Sequence, residues 1–165
     1  MDARQVIAAN PFFAEVLDEP DIVALARRAL VVDRPAGTDL IHEDGADASL
    51  FIIVDGEVEV TTGDPKHGKH IATLGPGAFF GEMSLMTGER RSATVRALTD
   101  VKVLEITASA IAPFLEASPD LVERFAKVLK KRQAELDRAY GTSPMSVLDH
   151  GGFAVLIRRF FGGPA

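Results

Sequence analysis

Gly81, Glu82 and Arg91 are the residues of this chain whose types and spacing can do chemistry together. They lie in the stretch Gly75-Pro76-Gly77-Ala78-Phe79-Phe80-Gly81-Glu82-Met83-Ser84-Leu85, which continues through Gly88 and Arg90-Arg91-Ser92-Ala93-Thr94-Val95. A glycine turn, a short helix start, a carboxylate and an arginine follow one another there, the parts that a phosphate sugar needs. Backbone amides freed by Gly81 and the first helical turn, Glu82 to Leu85, can point at an anion, and the helix dipole favours it there. Arg91 can close on the same anion with a planar, always-charged guanidinium fork. Glu82 sits too close to a phosphate to pair with it, but can accept hydrogen bonds from a neighbouring ribose hydroxyl.

Each residue also has a plainer reading. Glu82 alone is a solvated acid in a helix's first turn, where the dipole favours it. Arg91 alone is a surface arginine beside Arg90. The run Ser92-Ala93-Thr94-Val95 reads as strand entry, which places Arg91 at a fixed mouth rather than on a mobile tip, and outside the apolar core.

The elements that position these residues are legible as a change of texture along 165 residues. Asn10 and Pro11 read as an N-cap followed by proline at the first helical position, with Phe12, Phe13, Val16 and Leu17 at helical spacing. A second helix begins near Asp21, with Ile22, Leu25, Ala26 and Ala29 on one face. From Val31 to Ile106 short apolar runs alternate with turns such as Pro35-Ala36-Gly37, Asp55-Gly56, Gly63-Asp64-Pro65 and Gly75-Pro76-Gly77. Strands are expected at Asp39 to Ile41, Leu50 to Val54, Glu57 to Thr61, His70 to Leu74, Ala93 to Ala97 and Val101 to Glu105. Their regular spacing suggests an all-β roll or barrel rather than a βαβ sheet. Phe51 to Val60, with Asp55-Gly56 in the middle, reads as the clearest hairpin.

After Ile106 the helical period returns. Ser109 to Ala117 is one candidate, with Pro113 tolerable only near its start. Another opens at Ser118-Pro119-Asp120 and runs to about Tyr140, stopping at Gly141. The expected divisions are a helical segment over 1–30, the roll over 31–106 with the phosphate cassette at 75–95, C-terminal helices over 107–141 and a tail over 142–165.

Composition sets the outer bounds. A chain of this length is one domain with room for extra helices, and its 47% hydrophobic and 25% charged residues are those of a soluble globular protein. The absence of cysteine excludes disulfides, thiol catalysis and thiolate metal sites. A net charge of −6 argues against nucleic acid as a direct partner. The opening Met1-Asp2-Ala3-Arg4-Gln5 lacks a basic region followed by an apolar one, so no secretory signal is expected, and the expected compartment is the cytoplasm. His67 and His70 lack an obvious third ligand and read as a turn pair, so no metal is expected. No Ser/His/Asp order or close carboxylate pair stands in a catalytic context, and the chain does not read as an enzyme.

The pattern Phe-Gly-Glu, an apolar residue, a small residue, Leu, then Arg, Ser, Ala, Thr over Phe80 to Thr94 resembles the phosphate-binding cassette of the cyclic nucleotide-binding domain family. The likeness of layout extends over roughly Asn10 to Tyr140. It implies a mainly β fold with flanking helices (α+β): a jelly-roll-like β-roll, or double-stranded β-helix, with N-terminal helices and two C-terminal helices. It implies cAMP or cGMP as ligand, with no separate cofactor. The ligand set carried over comprises Phe80, Gly81, Glu82, Met83, Ser84, Arg91 and Ser92. Ser92 offers its hydroxyl to the phosphate or to a guanine amino group, with a strand-start serine as the alternative, and does not choose between the two nucleotides. Ile71 and Leu74 are the base-pocket candidates. A last-helix residue caps the base in many relatives, and Arg132 falls at the matching place, although Lys130 and Lys131 beside it leave a solvated basic face as the alternative. Where the family often carries proline before the arginine, this chain has Arg90.

In the tail, Phe153, Leu156, Ile157, Phe160 and Phe161 repeat at helical spacing, with Arg158 and Arg159 between them. Such a segment needs a surface: this domain, a neighbouring subunit, a partner or a membrane. Ile157 to Gly162 and the cassette Gly77 to Met83 resemble prokaryotic cyclic nucleotide-gated channels. The expectation is a non-catalytic receptor module, the cytoplasmic regulatory part of a bacterial ion channel, oligomeric in its full-length context and joined to a membrane-embedded channel domain. The final helix would close over the base. The alternative is a Crp-like transcription regulator lacking its DNA-binding domain, since 24 residues follow Gly141. A degenerate domain that no longer binds nucleotide is disfavoured by the presence of both Glu82 and Arg91.

Overall fold

A computed structural model describes residues 1–63, 69–141 and 144–162. Three short helices open the chain: α1 (Ala3–Ala9), α2 (Pro11–Ala14) and α3 (Glu19–Ala26). Asn10 caps α2 as expected, its Oδ1 accepting from the amides of Phe12 and Phe13. The α1 helix, capped by Asp2, carries no strong period and was not anticipated.

Eight strands follow: β1 (Leu30–Arg34), β2 (Asp39–Ile41), β3 (Ser49–Asp55), β4 (Val58–Thr62), β5 (Lys69–Leu74), β6 (Phe79–Phe80), β7 (Thr94–Ala97) and β8 (Val101–Thr107). They form two four-stranded sheets, ordered β1-β8-β3-β6 and β2-β7-β4-β5, with antiparallel pairing throughout. Among the described residues one α-helix interrupts the roll, α4 (Glu82–Thr87), and three α-helices follow it, α5 (Ala108–Ala117), α6 (Pro119–Tyr140) and α7 (His150–Phe161), with a 3-10 turn at Pro144–Val147 between the last two. The expected mainly β roll with flanking helices is the observed fold.

The hairpin expectation is corrected. The strands β3 and β4 do not pair: β3 lies between β8 and β6, whereas β4 lies between β7 and β5. Asp55-Gly56 therefore carries the chain from one sheet to the other. Gly56 has φ +90°, and a Cβ there would stand 2.4 Å from the Asp100 carbonyl, so the crossing is held against the β7–β8 turn. The apolar run of β3 reflects this central place. Phe51 and Ile53 face the space between the sheets with Val58, Val95 and Val103, while Leu50 and Ile52 face the helices with Leu104 and Ile106. A strand covered on both sides is apolar on both sides.

Pro113 also departs from expectation, sitting well inside α5. It removes the donor that the Ser109 carbonyl would use, but both residues are exposed, where water can replace it. The α6 helix runs as expected from the Ser118 cap to Gly141. It docks through Phe125, whose ring lies 5.5 Å from that of Phe12, and Phe12 in turn lies 6.1 Å from Phe79 at the cassette's entry. The tail forms α7 and docks on this domain, with Phe153, Ala154 and Ile157 buried in the helical core. Among the described residues no helix is long and apolar enough to cross a membrane.

Candidate functional site

Gly81 is the geometric centre of the site. It is the N-cap of α4 in the left-handed region, φ +93°, and no side chain caps the helix among the described residues. A Cβ at this position would stand 2.4 Å from the Ser49 carbonyl and 2.7 Å from Arg91 Nη1. Glycine is thus required by both backbone and space. The closeness of Arg91 to the α4 N-terminus is what makes the two a unit.

Arg91 is only 2% exposed, which corrects the expectation that it stands outside the core. A loop it does not share in sequence encloses it: its amide donates to the Gly45 carbonyl at 2.9 Å, and the Asp44 amide donates to its own carbonyl at 2.7 Å. The guanidinium donates to Asp47 from Nη2 at 2.7 Å and from Nε at 3.3 Å. It also lies 6.0 Å from the Phe51 ring centroid. These bonds leave Nη1 buried without a hydrogen-bond partner among the described residues. Buried unsatisfied donors are rare because each costs about 1–3 kcal/mol, and one here marks a place for an acceptor. The hydrogen bond from Arg91 is the main cause holding the Asp47 carboxyl below its ordinary value of 3.8.

Glu82, on the first turn of α4, is buried. Arg132 of α6 reaches it, Nε to Oε1 at 2.9 Å, and spans from there to the Phe79 carbonyl through Nη2 at 3.4 Å. Its guanidinium carbon stands 4.4 Å above the Phe79 ring centroid. Arg132 is therefore not part of a solvated basic face, although Lys131 beside it pairs with Glu15 in solvent.

The other expected residues scatter around this centre. Ser84 is buried and Met83 half-buried on α4. Phe80 stacks on Phe51 at 5.3 Å within the roll core. Ser92 is exposed, and Ile71 and Leu74 lie half-buried on β5. Arg90 is exposed and donates to the Asp44 carbonyl. His70 pairs with Glu59 at 2.9 Å, and His67 lies outside the described residues. Two further residues at the site, Asp47 and Phe79, are not among the expected ones: Asp47 meets Arg91 across 44 positions and Phe79 meets Arg132 across 53, contacts that no spacing within one segment signals. A cavity of about 400 Å3 lies apart from this centre, between α1 and β3, lined by residues including Asp2, Asn10 and Ile52.

The arrangement offers two neighbouring sets of donors to one anion, with a carboxylate beside them for a hydroxyl. A sequence profile described as "Cyclic nucleotide-binding domain" matches residues 31–118. A cyclic nucleotide-gated potassium channel of Mesorhizobium japonicum is 36% identical over 129 residues, which cover 78% of this chain and 34% of the channel. A CRP-like cAMP-activated global transcriptional regulator of Mycobacterium tuberculosis is 27% identical over 130 residues, covering 78% of this chain and 57% of the regulator. In structure, the N-terminal domain of a transcriptional regulator from Streptomyces coelicolor superposes with a TM-score of 0.67 at 26% identity, over 87% of this chain and 99% of that one. The chain spans about a third of the channel's length. On that match the chain belongs to the cyclic nucleotide-binding domain family.

Proposed function

We propose that this chain is a non-catalytic receptor for cAMP or cGMP. The observation that carries the reading is Arg91 Nη1, a buried donor without a partner among the described residues, held beside Gly81 at the uncapped start of α4. A cyclic phosphate seated there accepts from Nη1 and from the first-turn amides. Its single negative charge meets a site in which Asp47 balances Arg91 and Arg132 balances Glu82. Glu82 takes the ribose 2′-hydroxyl, Ser92 stands at the rim, and Ile71 and Leu74 face the base.

Arg132 carries the signal. The α6 helix closes over the ligand, and closure shifts the equilibrium only by the ligand's differential affinity for the closed state. The reading places the module on the cytoplasmic side of a bacterial channel, where α1–α3 pass the movement to a membrane-embedded domain in an oligomer. The 36% identity to a potassium channel over 78% of this chain supports this over the regulator reading, whose relatives match at 27% over 78% of the chain or at 34% over 59%. The packing of α7 back onto α6 also supports it, because the chain after the lid helix folds into this domain. Separate calorimetric titrations with cAMP and cGMP test the receptor reading, with micromolar or tighter binding expected. No heat and no thermal shift with either nucleotide at millimolar concentration would overturn it. Nucleotide-dependent, sequence-selective retardation of duplex DNA at low salt would put the regulator reading first.

A further inference from the structure

The cassette helix α4 is gripped at both ends by elements that come after the roll. At its start Glu82 meets Arg132 of α6. At its end Gly88 adopts φ +71°, and a Cβ there would stand 2.4 Å from Cδ1 and 2.6 Å from Cε1 of Phe160 on α7. The ring of Phe160 thus lies directly on the backbone where α4 terminates. The α7 helix is tied to α6 in turn. Arg158 pairs with Glu123 near the start of α6, and Ser146 donates to Asp137 near its end at 2.7 Å, so α7 returns antiparallel along the lid. Phe153 and Ile157 of α7 share one core cluster with Leu85 and Met86 of α4 and Phe125 and Leu129 of α6. The matched family region ends at residue 118, so α7 lies outside it.

We propose that α7 is a clamp that positions the cassette helix beneath the lid, with Phe160 on Gly88 as its contact point. The proposal rests on the receptor reading. The ligand-free lid is then biased towards its closed position, nucleotide completes the closure, and affinity is set in part by a helix that touches no ligand. Binding free energy not spent on closing the lid appears as affinity: if loss of the clamp cuts the closed population to about a tenth, the apparent Kd rises about tenfold. Reciprocity follows, since a clamp that favours the nucleotide-bound state must itself be protected by nucleotide.

The test uses the whole chain, which has no cysteine and so accepts spin labels at introduced ones. Labels at Lys127→Cys on α6 and Thr73→Cys on β5, both exposed positions, report the lid against the roll. The expected result is a ligand-free protein in which the short, closed-lid distance is already the major one, with saturating cAMP removing a minor longer one. Phe160→Ala should make the longer distance the major one until cAMP is added, with Kd raised about tenfold through a faster off-rate; Phe160→Leu should keep most of the wild-type behaviour. A Phe160→Ala protein that keeps the wild-type distance distribution and the wild-type Kd overturns the proposal. So does one that loses affinity with no change in the distances. If Phe160→Ala does not fold, hydrogen exchange on the wild type decides: cAMP should slow the amides of 153–161, and unchanged exchange there overturns the clamp. Should the wild type bind no nucleotide, the receptor reading fails by itself, while the ligand-free distances still report whether α7 holds the lid.

Discussion

Arg132 Nε stands 2.9 Å from Glu82 Oε1, joining the middle of the lid helix to the first turn of the cassette helix across fifty residues of sequence. Glu82 is 3% exposed, so this bond is what compensates its charge. Arg132→Ala leaves that carboxylate buried without its cation and should destabilise the ligand-free fold by about 1.5–3 kcal/mol, the range for hydrogen bonds to charged groups. Adding Glu82→Gln should return part of the loss, because a neutral amide is cheaper to bury than an unpaired carboxylate. Denaturant unfolding of both single variants and the double variant measures the coupling; strict additivity would mean the pair contributes nothing jointly.

The role given to Glu82 separates two ligands that differ by one oxygen. Glu82→Ala should weaken 3′,5′-cyclic ribonucleotides roughly ten- to a hundredfold, and leave a 2′-deoxy analogue almost unaffected. Calorimetry with both ligands decides, and equal losses would assign Glu82 to the lid contact alone.

Arg91 should be the phosphate anchor. Arg91→Ala removes one partner of a buried charge pair and should cost about 2–5 kcal/mol of affinity, roughly thirty- to several-thousandfold. Because Arg91 is buried, the same change should also lower the melting temperature. Arg91→Lys should recover only part of the affinity, since an ammonium cannot make a planar two-bond contact. Arg90→Ala, at an exposed position, should lose at most ~1 kcal/mol. An Arg90 variant weaker than the Arg91 variants would shift the cassette register by one residue.

Asp47 supplies a pH signature. Its carboxyl, held below 3.8 chiefly by the Arg91 hydrogen bond, is a depressed acid: its contribution is complete above the unfolded value and lost as pH falls through the folded one. Asp47→Asn should therefore be less stable than wild type above about pH 5, with the difference closing as pH drops below the ordinary carboxylate value. The side chain of Asp47 is 54% exposed, so solvent screening limits the ion-pair part to about 0.5–1 kcal/mol. Unfolding curves across that range provide the check, and a difference that persists in acid would assign the loss to packing.

What could be read along the chain was whatever its neighbours in sequence decide. Gly81 and Glu82 are adjacent, Arg91 follows within one loop, and a helix start between them orients all three, so the cassette was visible before any fold. The Asn10 and Ser118 caps were visible for the same reason: a cap bonds amides two or three residues away. The two-residue β6 and the short α1 were not, because neither carries enough period to rise above its surroundings. Asp55-Gly56 shows where local reading fails. A glycine turn between two apolar runs looks alike whether the strands pair or part, and only their partners β8 and β7 decide it.

The amino-acid sequence by itself determined the family, the mainly β roll between helices, and the placing of a glycine turn and helix start next to an arginine, since each follows from short-range spacing and chemistry. Tertiary structure alone decided which charges meet. Asp47 reaches Arg91 across 44 positions, Arg132 reaches Glu82 across 50, and the ring of Phe160 comes to rest on Gly88. Those contacts depend on how sheets stack and where α6 and α7 dock, which is fixed by burial of the whole helical core rather than by any pattern within one segment.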